Sequence, residues 1–167
     1  MLAAMVLPMM VACGDDDSDS GEGNGNQIDR FYYDGMLTYD LAGGFGTEEV
    51  SVYKADQNLV RVDLLECVMI DGKYYTCTVI DDRAFEGCGK LTFVTIPNSV
   101  TKIGKSAFSG CSSLTSVRCL ATTPPSITDD SFAGISGNAT LYVPKGSIDK
   151  YKNASDWWWY FKNIEEE

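Results

Sequence analysis

The sequence contains no histidine. This absence removes the most common general base of enzymes, the Ser-His and Cys-His nucleophile pairs, and the commonest ligand of zinc. Basic residues are scarce as well, since 13 Lys and Arg stand against 24 Asp and Glu, for a net charge of −11. Nothing in this composition forms the basic stripe that nucleic-acid binding needs. We therefore expect a protein that is not an enzyme, uses no cofactor, holds no metal ion and does not bind nucleic acid.

Long apolar runs are missing after residue 12, which predicts that no helix crosses a membrane in the mature chain. The acidity is uneven. Residues 80–164 contain seven acids and nine bases, so this part is nearly neutral. The excess of acids lies in residues 15–22, in residues 27–79 and in the three final glutamates. The net charge therefore describes the flanking segments and not the second half of the chain.

Two pairs of adjacent carboxylates come nearest to a catalytic pattern. Asp81–Asp82 and Asp129–Asp130 could in principle perform acid–base chemistry. Both pairs lie in turn-like segments before a phenylalanine, where capping of backbone N–H groups and solvation explain acidic residues better. We therefore assign no catalytic residue.

The first residues are typical of a secretory signal. Residues 1–12 are almost wholly apolar and end in small residues before Cys13. A cysteine directly after Val11 and Ala12 resembles the signal of bacterial lipoproteins, in which Cys13 becomes the lipidated first residue. The alternative is a buried N-terminal strand with a chance cysteine. No Lys or Arg precedes the apolar segment, which we interpret as a start codon assigned too late.

A polar segment follows the cysteine. Residues 13–27 are rich in Gly and Asp, and they cannot bury enough apolar surface to fold, so we expect a disordered acidic tether. The fourteen residues after Cys13, residues 14–27, extend roughly 20 Å in the root-mean-square sense when flexible. An acidic run behind the lipidated cysteine also resembles the surface-export signal of some Gram-negative lipoproteins. These features predict a location at the outer membrane or cell surface, with membrane contact through the lipid at Cys13.

A pattern of 23 residues repeats along the second half of the chain. The motif Ile-x-x-x-Ala-Phe-x-Gly-Cys begins at Ile80 and returns at Ile103. A third, partial copy with Ser in place of Ala begins at Ile127, 24 residues further on. The motif Leu-x-x-Val-x-Ile begins at Leu91 and returns at Leu114 with Cys in the last position. A fixed period of this length predicts about three stacked coils that form a solenoid. The aromatic residues expected to share one apolar spine are Phe85, Phe108 and Phe132.

Each coil has an inward and an outward side. Val94 and Ile96 alternate with Thr95, as in a strand, and Pro97 ends that strand because it has no N–H to donate. We expect a short helical turn at residues 106–108 to place the phenylalanine in the core. The residues expected to face inward are Leu91, Val94, Ile96, Val100 and Ile103, and those expected to face outward are Thr92, Phe93 and Thr95.

The string LTFVTIPNSVTKIGKSAFSGCSSLTSV, residues 91–117, resembles the BspA-like leucine-rich-repeat family of bacterial surface proteins. The resemblance is strong over residues 80–144 and extends to the ending at 140–164. It implies a β-rich leucine-rich-repeat solenoid of short parallel strands and short helical turns, with an N-terminal β-hairpin cap and a C-terminal helical cap. It also implies surface exposure and a role in adhesion or partner binding. The family shares no catalytic residues.

The ends of the solenoid need caps, because end coils would otherwise expose apolar rows. Asp34-Gly35 and Asp71-Gly72 lie between strand-like flanks and predict hairpins, and residues 60–64 alternate like a degenerate first rung. The predicted segments are residues 1–12 (signal peptide), 13–27 (tether), 28–79 (N-terminal β-hairpin cap), 80–144 (solenoid) and 145–167 (C-terminal cap and acidic tail).

The C-terminal cap is predicted to contain two short helices. Ser147 can cap a helix that runs through Tyr151, and Ser155 with Asp156 can cap a second turn that holds the three tryptophans. Three consecutive tryptophans cannot all face inward on a helix. We therefore expect one or two to close the core and at least one to be exposed.

Five cysteines follow Cys13, and an odd number rules out complete pairing among them. Cys88 and Cys111 occupy the same position of successive repeats and should stack on adjacent coils. We favour a ladder of buried thiols that behave as small apolar residues. A disulfide between the two cysteines is the alternative, because adjacent rungs lie within the range of a disulfide.

The outward positions of the strands are expected to align in columns. One column runs Asp63, Thr95, Arg118, Tyr142, and its neighbour runs Arg61, Phe93, Ser116, Thr140. Aromatic residues and arginine are the types that dominate binding interfaces, although the same positions also suit an ordinary solvated sheet. The candidate binding residues are Phe93, Thr95, Ser116, Arg118, Tyr142 and Trp158.

Two functions are carried forward. The first is a surface binding or adhesion module for protein or host-surface partners. The second is an accessory scaffolding lipoprotein of an outer-membrane assembly that docks through the exposed part of residues 157–160. A glycan-binding module would use the same tryptophans as stacking platforms.

Overall fold

The computed structural model describes residues 31–33, 35–41, 48–128 and 130–167. The predicted signal peptide, the lipidation site at Cys13 and the tether lie outside these residues. Within the described ranges, no helix is long and apolar enough to span a bilayer.

The described residues form short strands and two short helices. The elements are β1 (Phe31–Tyr33), β2 (Leu37–Asp40), β3 (Glu49–Ala55), β4 (Arg61–Asp63), β5 (Cys67–Ile70), β6 (Lys73–Ile80), β7 (Phe93–Ile96), β8 (Lys102–Ile103), β9 (Ser116–Cys119), β10 (Ser126–Ile127), β11 (Thr140–Val143), α1 (Ile148–Asn153), α2 (Ser155–Tyr160) and β12 (Asn163–Glu166).

Two sheets face each other across the core. The first is a five-stranded parallel sheet in the order β12-β11-β9-β7-β4. The second is a seven-stranded sheet in the order β1-β2-β3-β6-β8-β10, with β5 paired to β6. Because successive strands alternate between the sheets from β6 to β11, the chain winds as a β-solenoid of about five turns. The expectation of three coils was too low, since β3 pairs in parallel with β6 and β4 with β7 before the first clear repeat.

The phenylalanine spine is confirmed. The ring centroids of Phe85 and Phe108 lie 4.8 Å apart with an interplanar angle of 9°, and those of Phe108 and Phe132 lie 5.0 Å apart at 3°. All three rings are fully buried. Phe161 closes this stack with an edge-on contact to Phe132 at 5.0 Å, and Trp157 lies beside it. One continuous apolar column therefore runs through the repeats into the C-terminal cap.

The segment expected to form a short helical turn is a series of i→i+3 hydrogen-bonded turns. The backbone is left-handed at the same position of each coil, with φ of 61° at Arg83, 56° at Ser106 and 66° at Asp130. This conformation lets successive turns bond to each other along the stack. The Phe108 N–H, for example, donates to the Ser131 carbonyl at 2.7 Å. The connecting turns therefore add a ladder of their own beside the two sheets.

The hairpins before the first repeat are present. Asp71 and Gly72 have φ of 51° and 80°, as a type I′ turn requires, and they join β5 to β6 in antiparallel pairing. Gly35 has φ of 97° between the antiparallel strands β1 and β2.

The C-terminal cap differs from the expectation in two details. Helix α1 begins after Ser147, but the Ser147 side chain makes no capping bond and is buried instead. Helix α2 begins at Ser155, and Ala154 precedes it as the N-cap. The predicted acidic tail forms the strand β12, which pairs in parallel with β11 and buries Ile164. The last residues thus add a rung to the five-stranded sheet.

The repeat cysteines are buried free thiols. Cys88 and Cys111 are not joined by a disulfide, and the Cys111 thiol donates to the Phe85 carbonyl at 3.1 Å. Burial raises the pKa of both thiols, and that of Cys111 reaches about 12. These cysteines act as small core residues, as we favoured from the sequence.

Candidate recognition face

The outward residues of the five-stranded sheet form the surface that we call the recognition face. The predicted columns are present, because Thr95 pairs with Asp63 on one side and with Arg118 on the other, and Arg118 pairs with Tyr142. The neighbouring column runs in register from Arg61 to Thr140 in the same way. Strand β12 extends both columns by one rung, with Glu165 beside Tyr142 and Asn163 beside Thr140.

A third column was missed from the sequence. The Leu120 N–H donates to the Ile96 carbonyl at 2.9 Å, and the Glu167 N–H donates to the Val143 carbonyl at 3.0 Å. The parallel register therefore continues past the last assigned strand residues. Exposed Leu65 and Leu120 give this column an apolar character. Its positions are Leu65, Pro97, Leu120, Pro144 and Glu167, of which Pro97 is buried and Pro144 is half-buried.

The signal for the third column was present in the sequence. Each member lies two residues after a member of the first column, and a period of two places both on one face of a strand. The strand predicted around Val94 ends at Pro97, because proline cannot donate to the sheet. Proline is nevertheless tolerated where a strand ends, since it removes only the last donor of the ladder.

Charges at the N-terminal side of the recognition face are paired within the chain. Arg61 lies 3.0 Å from the Asp63 carboxylate, and its guanidinium stacks over the Phe93 ring at 3.8 Å. The Thr95 hydroxyl also donates to Asp63. Burial alone would raise the pKa of Asp63, but the hydrogen bonds from Thr95 and Arg61 outweigh it and hold that pKa below its ordinary value.

The Arg118 side chain is also paired within the chain. Its Nη2 donates to Glu167 Oε2 at 2.6 Å, and a second contact joins Arg118 Nε to Glu167 Oε1. Glu167 therefore neutralises the arginine that the sequence marks as a binding residue. An exposed pair of this kind contributes little to stability, so a partner can replace it at small cost.

The other predicted binding residues divide into three groups. Phe93, Ser116 and Tyr142 lie half-buried on the recognition face. Thr95 faces the same side, but neighbouring side chains cover it and it is only 7% exposed, so it cannot contribute contact area. Trp158 lies on α2 in the C-terminal cap and is not part of the face.

The three tryptophans separate as expected. Trp157 is buried and its Nε1 donates to the Pro125 carbonyl at 2.9 Å. Trp158 is 47% exposed and Trp159 is 79% exposed. The more exposed Trp159 was absent from the predicted binding residues, since the sequence alone does not fix the rotation of so short a helix.

The acidic residues in the turns have structural roles. Asp81 accepts a hydrogen bond from the Ser51 hydroxyl at 2.6 Å, and burial raises its pKa. Asp82 accepts the Lys105 N–H at 2.7 Å. Both carboxylates thus bind neighbouring coils together. Among the described residues, no group of three or more Asp, Glu, Cys or His side chains could hold a metal ion.

Comparisons with known proteins agree with this architecture. The sequence matches the family model described as BspA type Leucine rich repeat region, in six copies over residues 75–156. The fold is similar to a crystal structure of a leucine-rich repeat protein from Bacteroides capillosus ATCC 29799, with a TM-score of 0.64 and 25% identity. That alignment covers 83% of this chain and 99% of the other. The protein is thus a bacterial-type leucine-rich-repeat solenoid. Within that class, residues 75–156 match the BspA-type repeat family.

Two further solved structures are similar over part of their length. One is a leucine rich cell surface protein from Faecalibacterium prausnitzii A2-165, with 24% identity, a TM-score of 0.46, and coverage of 80% of this chain and 30% of that chain. The other is a leucine-rich repeat protein from Bacteroides ovatus ATCC 8483, with 24% identity, a TM-score of 0.47, and coverage of 68% and 37%. Among curated proteins, none matches the sequence.

Proposed function

We propose that this protein is a lipid-anchored surface protein that binds a protein or host-surface partner through its recognition face and catalyses no reaction. The observation that carries the proposal is the shared register of three outward columns on one parallel sheet. Repeat solenoids bind partners through such regular surfaces, because stacked coils hold side chains at fixed spacing.

The charge pairing on the face favours a protein partner. Arg61 is paired with Asp63, and Arg118 with Glu167, so the face presents no strong field of one sign. A polyanion would need unpaired cations. Protein interfaces instead combine aromatic residues and arginine with few unpaired charges at their centre. Phe93, Tyr142 and the apolar third column match that composition.

The size of the face sets the expected strength of binding. Five strands about 4.8 Å apart and three columns about 6.7 Å apart cover roughly 20 by 15 Å. That footprint of about 300 Å² is smaller than the roughly 800 Å² per partner of a standard interface. Binding by one molecule is therefore weak unless the neighbouring corners contribute. One such corner is a shallow groove of about 520 Å³ between residues 98–101 and 121–126.

The anchor is proposed on sequence alone. Residues 1–12 would direct secretion, Cys13 would carry the lipid, and residues 14–27 would hold the folded body clear of the membrane. A small face on an anchored protein gains from display at high surface density, since several weak contacts then act together.

Site-specific photo-crosslinking on intact cells tests the recognition face. We expect a photoreactive phenylalanine at Leu120, which is exposed in the third column, to form an adduct with a defined partner protein. The same group at Lys105, which is exposed on the turn side of the coil, is the matched control and should form none. Equal adducts from both positions, or adducts from Lys105 alone, would exclude the face as the binding surface.

A second arm of that experiment tests the anchor separately. Cys13→Ser should release the chain from the cell envelope and remove the Leu120 adduct from intact cells, while the purified chain keeps its fold. A Cys13→Ser chain that remains in the membrane fraction would contradict lipid anchoring. The recognition face would still be tested by the comparison of the adducts from Leu120 and Lys105.

The exposed tryptophans support a second candidate function. Trp158 and Trp159 present aromatic surface on the C-terminal cap, where a scaffolding partner in the outer membrane could dock or a sugar ring could stack. A photoreactive group at Trp159 distinguishes this candidate. An adduct from Trp159 without one from Leu120 would transfer the binding function to the cap.

A further inference from the structure

The first strand of the five-stranded sheet has an open edge. Strand β4 pairs with β7, and no other strand among the described residues pairs with it. The Leu64 N–H donates to the Thr95 carbonyl at 3.0 Å, and the Val60 carbonyl accepts the Thr92 N–H at 2.8 Å. Residues 60, 62 and 64 therefore direct their backbone groups towards β7. Since backbone groups alternate along a strand, Arg61 and Asp63 direct theirs to the open side.

The two ends of this sheet differ in how their edges are protected. At the other end, β12 carries exposed Glu165 and Glu166, and charged residues on an edge strand oppose pairing with a further chain. Strand β4 lacks that excess of one sign. Exposed aliphatic residues flank it instead, since Val60 is 57% and Leu65 is 45% exposed. Of the two edges, β4 is the one suited to receive a strand.

The sequence of β4 is complementary to itself in one antiparallel register. We propose that β4 pairs with β4 of a second copy about a two-fold axis at Val62, forming a symmetric dimer. In this register, Arg61 of each copy lies opposite Asp63 of the other. These two positions carry the free backbone groups, so each opposed pair exchanges two backbone hydrogen bonds. Four backbone hydrogen bonds and two ion pairs between strands result.

Charge opposes the two neighbouring antiparallel registers. A shift of the two-fold axis to residue 61 places Arg61 opposite Arg61, and a shift to residue 63 places Asp63 opposite Asp63. A parallel arrangement of two copies in register also brings like charges together. Like charges directly opposite each other destabilise strand pairing. Because a symmetric interface requires a self-complementary surface, the pattern Arg-Val-Asp selects the register centred on Val62.

The dimer would also bury apolar surface that is exposed in the monomer. The register places Val60 of each copy beside Leu64 of the other, and Leu65 beside Leu59. The two five-stranded sheets would join into one sheet of ten strands, roughly 45 Å across. Because only three residues of each copy form the strand pair, we expect a weak dimer that forms at protein concentrations of tens to hundreds of micromolar. Anchoring to one surface would raise the local concentration further.

Sedimentation of charge-reversed chains tests this dimer. The full chain, kept in non-ionic detergent, should dimerise as the concentration rises. Arg61→Glu alone and Asp63→Arg alone should each weaken self-association by about tenfold or more, because each places like charges opposite each other twice. An equimolar mixture of the two variants should restore dimerisation, since glutamate and Asp63 of one chain then face the two arginines of the other.

The double swap Arg61→Asp with Asp63→Arg is a second rescue, because it reverses both pairs and keeps them complementary. Thermal unfolding identifies any variant that fails to fold, and Lys105→Glu serves as a charge-reversed control that should dimerise as before. A chain that stays monomeric at several hundred micromolar would overturn the proposal. So would variants that self-associate unchanged, or a loss that neither the mixture nor the swap restores.

Discussion

Phe108→Ala is expected to lower the free energy of unfolding by about 3–5 kcal/mol, the range typical of removing a buried aromatic ring. Phe108 is fully buried between two parallel rings, with centroids 4.8 Å away on the Phe85 side and 5.0 Å away on the Phe132 side. Removal of the middle ring leaves a cavity in the stack that the turns on either side cannot close. They are fixed to each other by backbone hydrogen bonds such as the one from Phe108 N–H to Ser131.

Urea unfolding followed by circular dichroism measures this loss. Trp159→Ala removes a larger aromatic ring from an exposed position and is the matched control, with an expected change within about 0.5 kcal/mol. If Phe108→Ala changed the free energy of unfolding as little as the control does, the three rings would not stabilise the fold as a stack. The arrangement of the coils described here would then be wrong.

Gly104→Ala is the second large effect, with an expected loss of about 2–4 kcal/mol. Added to Gly104, a Cβ atom would lie 2.5 Å from the Asp82 backbone nitrogen and 2.7 Å from the Asp81 carbonyl carbon. Both are main-chain atoms of the preceding coil, which cannot move aside as a flexible side chain could. The Gly104 N–H also donates to the Ile80 carbonyl at 2.8 Å, so the two coils are held in contact at this point.

Gly137→Ala is the control for this substitution. A Cβ atom at Gly137 meets no atom within 4 Å, so the change should be near zero or slightly stabilising. Equal unfolding midpoints for the two alanine variants would show that coils do not approach each other closely at Gly104.

The spine and two of the columns could be predicted because the repeat offset is constant. A step of 23 residues carries Phe85 to Phe108, and it carries Thr95 to Arg118, so core and surface positions are aligned by the same count. Register in stacked coils depends on coil length alone once the inward residues are fixed. The extra residue before Ile127 does not change the predicted register, since it falls in the turn at residues 122–125.

The last strand could not be predicted because its signal is weak. Strand β12 contains one apolar residue, Ile164, among Asn and Glu, which are poor strand formers. Its pairing is fixed by the open edge of β11 and by the contact of Glu167 with Arg118, two features of tertiary structure. The number of coils was underestimated for a similar reason, since β3 and β4 lack the repeat motif and pair through backbone groups.

Which outward side chains are covered or paired could be determined only from the structure. The repeat offset places Thr95 and Arg118 on the outward side correctly, but it gives no information on what covers them. Thr95 is covered because it donates to Asp63, and Arg118 is paired with a residue 49 positions away. Periodicity alone therefore cannot tell which of the predicted binding residues are exposed and which are covered.

The recognition face depends on adjacent strands that hold their outward residues in the stated register. Histidine pairs introduced across one rung test this register directly, because the natural chain contains no histidine to compete for metal. Ser116 and Thr140 are register partners, so Ser116→His with Thr140→His should bind Ni²⁺ and raise the unfolding midpoint when the ion is added. Ser116→His with Asn163→His spans two rungs and should not respond. An equal response from both pairs, or a response only from the wider pair, would contradict the register on which the recognition face depends.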